Sequence, residues 1–371
     1  MSPLTHKLLR DLWRMKGQAI AIGLVIAMGV MLQVMMSGLV TTLESTRDAY
    51  YDRYRLTDVF APVARAPSHM MPPLSEINGV ARVQSRVVGA ALVDIPDRAA
   101  PVQARAVSLP ENGTAALNAT FLSAGRMPDP ARPDEILLVE GFAKAHGLAP
   151  GDTLLATLNG TRRALQVVGL AQSPEFLYIA APGEMVPDDS RFGVIWMGRD
   201  AMAALFDMGG AFNEALFALT RAADKQVVLA EIDRILDPWG GRGAYGIEDQ
   251  YSNQFVTEEI NGLRSTANTV PPLFLAVAAF LLYIVIGRMV QSEREEIGLL
   301  KAFGYSNAEV GAHYLKLVLV IAAGGAILGC LLGIAGGRAM VQLYLQYFKF
   351  PFLLFRLDPA SFAIGVTASI L

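Results

Sequence analysis

Three stretches of the chain are too long and too apolar to form the surface of a soluble domain. Residues 18–40 contain no charged side chain, and residues 273–287 and 315–337 are almost entirely apolar. A helix of about 20 apolar residues crosses the roughly 30 Å hydrocarbon core of a bilayer. The sequence therefore predicts transmembrane helices over residues 18–40, 270–290 and 314–337, the second of them beginning at Pro271-Pro272. The 53% share of hydrophobic residues agrees with a membrane protein.

A fourth apolar run occupies residues 359–371. It holds about 13 residues where a span needs about 20, which predicts the start of an incomplete fourth transmembrane helix. The chain is expected to stop inside this span, either because it is a fragment of a longer protein or for another reason. Residues 338–358, between the third and fourth runs, are predicted to form an external loop.

The segment before the first span indicates how the chain is oriented. Residues 1–17 carry four basic side chains against one acid, Asp11, with leucines at helical spacing. The basic residues are Lys7, Arg10, Arg14 and Lys16. This pattern predicts an amphipathic helix at the membrane surface, and the positive-inside rule places it in the cytoplasm. A cleaved signal peptide is the rival interpretation, but the apolar run is too long and no cleavage site follows it cleanly. This orientation places the cations of residues 338–358 outside the cytoplasm, against the positive-inside rule. The first span usually sets the orientation of a membrane protein, so we give its flanking cations more weight.

With that orientation, residues 41–269 lie outside the cytoplasm and have the composition of a soluble domain. Two runs, residues 153–158 and 161–168, flank Asn159-Gly160, which is the strongest short signal for a hairpin. Further strands are predicted at residues 86–95, 102–109, 193–198 and 214–220, and helices at residues 50–55, 141–146, 199–206, 224–236 and 249–269. Helices and strands alternate, so we predict an α+β extracytoplasmic (periplasmic) domain of two subdomains, one nearer each end of the segment.

Several classes of function find no support in the sequence. The net charge of −3 gives no basic surface of the kind that nucleic-acid-binding proteins carry. The four histidines and the single cysteine show no metal-ligand spacing, and no catalytic or cofactor-binding motif is found. No row of charges lines the spans, which disfavours an ion-coupled transporter. None of the lysines follows a glycine, as a phosphate-binding loop requires, so the chain itself is not expected to hydrolyse ATP.

A short charged segment, residues 291–313, separates the second and third spans, and we call it the elbow. Its first half has helical periodicity, with Ile297, Leu300 and Phe303 on one apolar stripe. Gly304 is predicted to end this helix, and Ser306 with Glu309 fits a capping box that begins the next one. The elbow is therefore expected to leave the bilayer as a helix, turn, and re-enter as a new capped helix.

The residues of the elbow resemble a known family. Residues 296–304, EIGLLKAFG, are similar to the cytoplasmic loop of FtsX/MacB-like ABC transporter permeases. The order helix, GLAPGD, strand, NG, strand, VVG over residues 141–169 resembles the periplasmic domain of the same family. The resemblance implies that the elbow rests on a separate ATPase subunit. The residues implied in this coupling are Glu296, Ile297, Gly298, Leu300, Lys301, Phe303 and Gly304.

The resemblance also implies a function. The chain would be a multi-pass permease subunit of the inner (cytoplasmic) membrane, and ATP hydrolysis by the separate subunit would move the elbow and the spans. The extracytoplasmic domain would then change shape for export, extraction or mechanotransmission. A second permease protomer and membrane lipids are the other implied partners. The resemblance also allows a periplasmic partner, and it implies no binding of nucleic acid. No cofactor or metal is implied.

A row of glycines on the third span indicates close helix packing. The row consists of Gly325, Gly329, Gly333 and Gly337, which share one helix face. Glycine costs roughly 1 kcal/mol relative to alanine in a water-exposed helix, so close contact with another helix explains four glycines in register. The first span carries a similar spacing at Ala19, Gly23 and Ala27. The partner of the glycine face is either another span of this chain or a second protomer.

Two other classes of function stay open at the level of sequence. One is a membrane-anchored sensor or scaffold whose external domain binds a partner without transport. The other is a membrane-bound enzyme, for which no constellation of catalytic residues is visible. The capping pattern of the elbow and the glycine row favour the permease over the sensor or scaffold.

Overall fold

The computed structural model of the protein describes residues 3–96, 98, 100–110, 115–356, 363 and 367. The predicted start of a fourth span, residues 359–371, lies outside the described residues except for positions 363 and 367. The chain divides into two compact units. The helical unit comprises Met1–Ser45, Glu259–Tyr344 and Leu353–Leu371, and the α+β unit comprises Thr46–Glu258 and Leu345–Phe352.

The helical unit contains three long apolar helices and two short ones, and the other short helices lie in the α+β unit, all within the described residues. The helices are α1 (Pro3–Arg14), α2 (Lys16–Tyr54), α3 (Met71–Ser75), α4 (Glu140–Ala145), α5 (Arg199–Leu205), α6 (Lys225–Leu236), α7 (Tyr251–Ser292), α8 (Arg294–Ala302) and α9 (Asn307–Tyr347). Three of them, α2, α7 and α9, are long and apolar enough to cross a membrane. They contain the three predicted spans, and α1 lies within the segment predicted as an amphipathic helix.

The three long helices extend well beyond the predicted spans. They contain 39, 42 and 41 residues, and at about 1.5 Å per residue each is roughly twice as long as a hydrocarbon core is thick. Residues 338–347 are therefore the last turns of α9 and not part of a loop, which corrects the prediction for residues 338–358. The reason is local, because residues 339–347 contain no glycine or proline that would stop the helix before Pro351.

The boundaries of the soluble part also differ from the predicted residues 41–269. Residues 41–45 and 259–269 continue α2 and α7 and belong to the helical unit. Residues 345–352 belong instead to the α+β unit, where the Lys349 amide donates to the Leu177 carbonyl at 2.8 Å and its ammonium contacts Asp189 at 2.7 Å. Composition alone did not reveal this return of the chain to the α+β unit.

Pro271 and Pro272 lie inside α7 and not at the start of a helix. A proline in a helix interior lacks the amide donor and crowds the carbonyl of the preceding turn, which is why the sequence favoured a helix start at this position. Membrane helices tolerate such prolines, since neighbouring groups satisfy the freed carbonyls. The second span is therefore the middle of a longer helix.

The core of the helical unit is formed mainly by α2 and α9. The buried apolar residues are Ile22, Ile26, Val30 and Val34 from α2, Ala278 from α7, and Leu317, Ile321, Ala322, Ala326 and Cys330 from α9. In the most apolar window of each helix, 33% of α2 and 44% of α9 is buried, but only 6% of α7. The α2–α9 pair is thus the packed centre of this unit, and α7 presents most of its surface to the surroundings.

The described residues of the α+β unit form two sheets. Its strands are β1 (Val59–Pro67), β2 (Val80–Arg86), β3 (Val88–Asp94), β4 (Val102–Leu109), β5 (Phe121–Gly125), β6 (Glu135–Val139), β7 (Thr153–Leu158), β8 (Thr161–Gln172), β9 (Phe192–Gly198), β10 (Ala211–Leu219) and β11 (Tyr245–Gly246). The four-stranded sheet has the order β11-β1-β10-β2, and the seven-stranded sheet has the order β5-β8-β6-β9-β4-β3-β7. Two sheets with separate cores agree with the prediction of two subdomains.

The two sheets are nested along the chain, which differs from the predicted arrangement of one subdomain near each end. The four-stranded sheet takes β1 and β2 from the beginning of the unit and β10 and β11 from its end. All its pairings are antiparallel, and α3 and α6 supply further residues of its core. The seven-stranded sheet is made entirely from the segment between β2 and β10. Periodicity could not reveal this, because the partners of β1 lie far along the chain.

The seven-stranded sheet closes on itself because the long strand β8 pairs with β7 along its first half and with β6 along its second half. The predicted hairpin at β7 and β8 is present, with φ of 45° at Asn159 and 76° at Gly160, as a type I′ turn requires. Two parallel pairings, β4 with β9 and β6 with β8, mix with antiparallel ones. The predicted combination of helical spans with an α+β domain is confirmed.

A buried cluster of charges connects the four-stranded sheet to the turn that follows β8. Arg86, at the end of β2, donates to both oxygens of Glu175 at 2.6 and 2.7 Å and to Glu214 of β10 at 2.6 Å. Burial opposes the ionisation of Glu175, but the charge and hydrogen bonds of Arg86 outweigh it and lower the pKa of that carboxyl. All three side chains are almost fully buried, so the cluster is stable only while each charge keeps its partner.

Candidate functional site: the elbow

The elbow lies entirely in the helical unit and consists of two helix ends joined by a short turn. Helix α7 ends at Ser292, and α8 follows from Arg294 to Ala302. Gly304 has φ of 92°, its amide donates to the Lys301 carbonyl at 3.0 Å, and the Tyr305 amide donates to the Leu300 carbonyl at 3.2 Å. These two bonds form a Schellman motif. The predicted helix end at Gly304 is therefore confirmed.

The start of α9 has the predicted capping box. The Glu309 amide donates to the Ser306 hydroxyl at 3.2 Å, and the Ser306 amide donates to the Glu309 carboxylate at 2.8 Å. The Ser306 amide and the Ser306 hydroxyl both donate to the Glu309 carboxylate and so lower the pKa of Glu309 below its ordinary value. Both ends of the turn are thus closed by local hydrogen bonds, which fixes the direction in which α8 and α9 leave it.

The tip of the elbow exposes apolar side chains that ordinary helix packing would bury. Phe303 is 76% exposed and Leu299 is 60% exposed, whereas Ile297 and Leu300 are half-buried. Sequence analysis named the stripe of Ile297, Leu300 and Phe303 and missed Leu299. The remaining predicted residues of the elbow, Glu296, Gly298, Lys301 and Gly304, are also exposed. The structure thus gathers the predicted residues on α8 and its end, with two of them partly turned inward.

A cluster of charges that the sequence did not predict ties the elbow to α1. The Lys7 ammonium of α1 donates to Glu293 at 2.8 Å and to Glu296 at 3.0 Å, and lies 3.1 Å from Asp11. Burial opposes the charge on Lys7, but hydrogen bonds to these three carboxylates outweigh it and raise its pKa. Glu293 sits at the junction of α7 and α8, so a single cation connects that junction to the first helix.

The same cluster reaches α9. The His313 Nε2 atom lies 3.0 Å from the Asp11 carboxylate, and the Tyr314 hydroxyl donates to Glu293 at 3.1 Å. Asp11, Glu293 and His313 are all less than a tenth exposed. We call the set of Lys7, Asp11, Glu293, Glu296, His313 and Tyr314 the elbow cluster. It links α1, the α7–α8 junction and the first turns of α9.

The four predicted glycines of α9 lie at two contacts. A Cβ atom on Gly325, Gly329 or Gly333 would come within 2.6–2.9 Å of a backbone carbonyl of α2, those of Gly23, Ala27 and Met31 in turn. Gly337 instead faces the ring of Phe355. Three of the four glycines therefore allow α2 and α9 to approach at backbone distance, and their partner is a span of the same chain.

The comparison with protein families addresses the part of the chain that contains the elbow. Residues 268–371 match the model of the FtsX-like permease C-terminal domain. This part of the chain is an FtsX-like permease domain. The resemblance seen in residues 296–304 is thereby confirmed, since those residues lie inside the matched region.

Solved structures similar to the chain cover about half of it. They include the extracellular domain of the noncanonic ABC-type transporter YknZ from Gram-positive bacteria (10% identity, 52% of this chain and 98% of that chain, TM-score 0.35). They also include the periplasmic region of MacB from Actinobacillus actinomycetemcomitans (9% identity, 57% and 95%, TM-score 0.35). A third is a domain of a putative permease from Porphyromonas gingivalis (13% identity, 53% and 90%, TM-score 0.32). No curated protein matches the chain. Because these TM-scores are low, the assignment to a family rests only on the match of residues 268–371 to the FtsX-like permease C-terminal domain.

The elbow cluster joins residues of the FtsX-like permease domain to α1, which lies outside it. Lys7 and Glu293 are 286 positions apart, so no local spacing could bring them together. In the sequence, Lys7 is explained as a cation at the membrane surface, and Glu293 and Glu296 are explained as solvated residues of a helix. Neither explanation predicts a contact between them. One signal was available, because Asp11 is an isolated acid in a basic amphipathic helix. Among the described residues, no group of three or more His, Cys, Asp and Glu side chains is placed to hold a metal ion.

Proposed function

We propose that the chain is the membrane subunit of an ABC transporter, in which a separate ATPase subunit acts on the elbow. The observation that carries the proposal is the match of residues 268–371 to the FtsX-like permease C-terminal domain. In this proposal the α+β unit lies outside the cytoplasm and changes shape when the spans move. The output is export, extraction of a substrate, or transmission of force to a partner.

The exposed tip of the elbow supports an ATPase contact. Phe303 and Leu299 offer apolar anchors, and Glu296 and Lys301 surround them with charge. Aromatic anchors inside a polar rim are typical of protein interfaces. Local hydrogen bonds at Gly304 and Ser306 hold the turn, so a force applied to Phe303 would move α8 and α9 together.

The elbow cluster supports a route for that movement. A displacement of the α7–α8 junction shifts Glu293, and Glu293 is bonded to Lys7 of α1 and to Tyr314 of α9. Each of the three long helices would therefore receive the displacement near one end, α2 through the neighbouring α1. We further propose that the elbow and α1 lie in the cytoplasm of a cell with this chain in its inner membrane, and that a second permease protomer completes the transporter.

The contact is tested by changing the exposed apolar side chains of the elbow to aspartate. Phe303→Asp and Leu299→Asp place a charge in the proposed interface, and their exposure leaves folding intact. Co-expression with a phosphate-loop ATPase encoded beside the gene, followed by purification through a tag on this chain, measures the complex. We expect at least a tenfold loss of bound ATPase, because anchors of this kind contribute about 2 kcal/mol or more.

Val227→Asp is the matched control, because Val227 is 63% exposed on α6, in the α+β unit. It should retain the ATPase in full. Equal retention by the wild type and both elbow variants would overturn the proposed contact. A folded wild-type chain that binds no co-expressed ATPase would instead favour a membrane-anchored sensor or scaffold.

A further inference from the structure

A groove between α1, the start of α2 and the end of α7 has the properties of an anion site. Its volume is about 790 Å³, and every residue that lines it belongs to the helical unit. Arg14 and Arg288 contribute guanidinium groups, and Gln18, Gln291 and Ser292 contribute neutral polar groups. Met15, Val285 and Met289 line the same groove with apolar side chains. The groove therefore combines two cations with an apolar wall.

The acids of this groove do not neutralise its arginines. Asp11 and Glu293 line it, but the elbow cluster already engages both, with Lys7, His313 and Tyr314 as their partners. Among the described parts of the chain, no carboxylate lies within ion-pair distance of Arg14 or Arg288, and both side chains are exposed. Two free guanidiniums lining one groove attract an anion with several oxygen acceptors.

The position of the arginines along the chain identifies the surroundings of the groove. Arg14 lies just before the apolar residues 18–40, and Arg288 lies directly after the apolar residues 273–287. Side chains at such boundaries lie at the level of lipid headgroups. Val285 and Met15 line the groove beside them, where an acyl chain would lie.

We propose that this groove binds the headgroup phosphate of an anionic phospholipid, with the glycerol and acyl region against Met15, Val285 and Met289. Arginine forms paired hydrogen bonds with phosphate oxygens, and basic pockets between helices at the membrane surface suit acidic lipids. This site is independent of the ATPase contact. A lipid bound there touches α1 and the end of α7, the two elements that Lys7 connects, and so favours the position of the elbow seen in the structure.

The test is lipid binding by the full chain in detergent, measured by native mass spectrometry while phosphatidylglycerol or phosphatidylcholine is added. We expect the wild type to retain phosphatidylglycerol in preference to phosphatidylcholine. Arg14→Gln and Arg288→Gln should each weaken phosphatidylglycerol binding about fivefold, since each basic side chain near a membrane contributes about that factor. Lys316→Gln is the matched control, because Lys316 is an exposed cation near the start of α9, outside the groove, and should change nothing.

Three results would overturn the proposal. One is equal binding of phosphatidylglycerol by the wild type and both arginine variants, each shown to be folded by its circular dichroism. The second is equal retention of phosphatidylcholine, which would show that charge is not recognised. The third is displacement of phosphatidylglycerol by millimolar inorganic phosphate, which would identify a site for free phosphate. Arg14→Lys gives an additional measurement, because it keeps the charge and should lose less affinity than Arg14→Gln.

Discussion

At the scale of single residues, Lys7 is the side chain on which the elbow depends most. An ammonium group has three donors, and three carboxylates lie within 3.1 Å of the Lys7 nitrogen. Two of these carboxylates, on Asp11 and Glu293, are almost fully buried. Removing the cation would leave two buried like charges near each other, which is far less favourable than losing a surface ion pair.

Lys7→Met tests this dependence. We expect α1 to separate from the α7–α8 junction, so amide hydrogen exchange over residues 3–14 and 293–297 should accelerate by roughly tenfold or more, as for a broken buried ion pair. Lys16→Met is the control, because Lys16 is exposed and lies over the ring of Trp13. If Lys7→Met and Lys16→Met changed exchange equally, the special role of Lys7 would be refuted.

The effect of acid on stability is expected at a different residue, Glu135, and not at Lys7. Because the pKa of Lys7 is raised, the charged form of Lys7 stabilises the fold below its ordinary pKa of 10.5, and this contribution is lost as the pH rises through the raised pKa. Glu135 behaves in the opposite way. Hydrogen bonds from Arg126 at 2.6 and 2.5 Å, together with one from the Asp129 amide at 2.9 Å, outweigh its burial and lower its pKa from 4.5 to about 2.

The ionised form of Glu135 stabilises the fold above its unfolded pKa, and this contribution disappears as the pH falls from about 4.5 to about 2. Glu135→Gln should therefore lower the unfolding temperature at pH 7 and flatten its decline between pH 4.5 and 2. Thermal unfolding followed by circular dichroism measures both effects. Glu76→Gln, at an exposed position on the same unit, should leave the pH profile unchanged. A steep acid decline that survives in Glu135→Gln would assign it to other carboxylates.

At the scale of elements, the contact between α2 and α9 holds the helical unit together. Their close approach depends on the absence of side chains at Gly325, Gly329 and Gly333, since the facing atoms are carbonyls of α2 that cannot rotate away. Small residues at a helix interface gain van der Waals contact in a bilayer, where burial of apolar surface gives no driving force.

Gly329→Val should disrupt this contact. Its Cβ atom would lie 2.6 Å from the Ala27 carbonyl oxygen and 2.8 Å from the Val30 Cβ atom, so the helices must separate at a cost of about 1–3 kcal/mol. Gly324→Val is the matched control on the same helix, because no atom lies within 4 Å of its added Cβ. The unfolding temperature in detergent should fall for Gly329→Val alone. A similar fall for both would indicate a general effect of valine on α9.

Elements with a local cause were predictable from the sequence, and those held by distant partners were not. The β7–β8 hairpin and the capped turn of the elbow follow from neighbouring residues. Strand β1 escaped prediction because it contains Pro62, which cannot donate to a ladder; the register of β1 against β10 shifts between Pro62 and Ala66. The glycine row predicted a close contact, but only the fold identifies α2 as its partner. The elbow cluster was missed because its members come from both ends of the chain.

At the scale of the whole molecule, the proposed function requires the α+β unit and the elbow to lie on opposite sides of the membrane. In the proposed arrangement, the three helices that are long and apolar enough to cross a membrane separate α1, the α+β unit, the elbow and the end of α9, and consecutive segments alternate between sides. The orientation itself is predicted from the cations of α1.

This arrangement is tested with single cysteines in a Cys330→Ala background. Arg163→Cys, at an exposed position on β8, should react with a membrane-impermeant maleimide added to spheroplasts. Asn307→Cys, at the exposed start of α9, should react only after the membrane is opened. The Cys330→Ala chain is the control for background labelling. Labelling of both cysteines from the same side would contradict the proposed function as a whole.

The nested order of the two sheets has a consequence for how the protein is made. Among the described residues, the partners of β1 lie in β10, in β11 and at Gly241, and those of β2 lie in β10, so neither strand has a partner until the ribosome has reached residues 211–219. The closed ring from β3 to β9 is synthesised completely before that point and has all its partners. The ring is therefore expected to fold first during translation. Until β10 is synthesised, β1 and β2 remain unpaired strands, and a chaperone would protect them from aggregation.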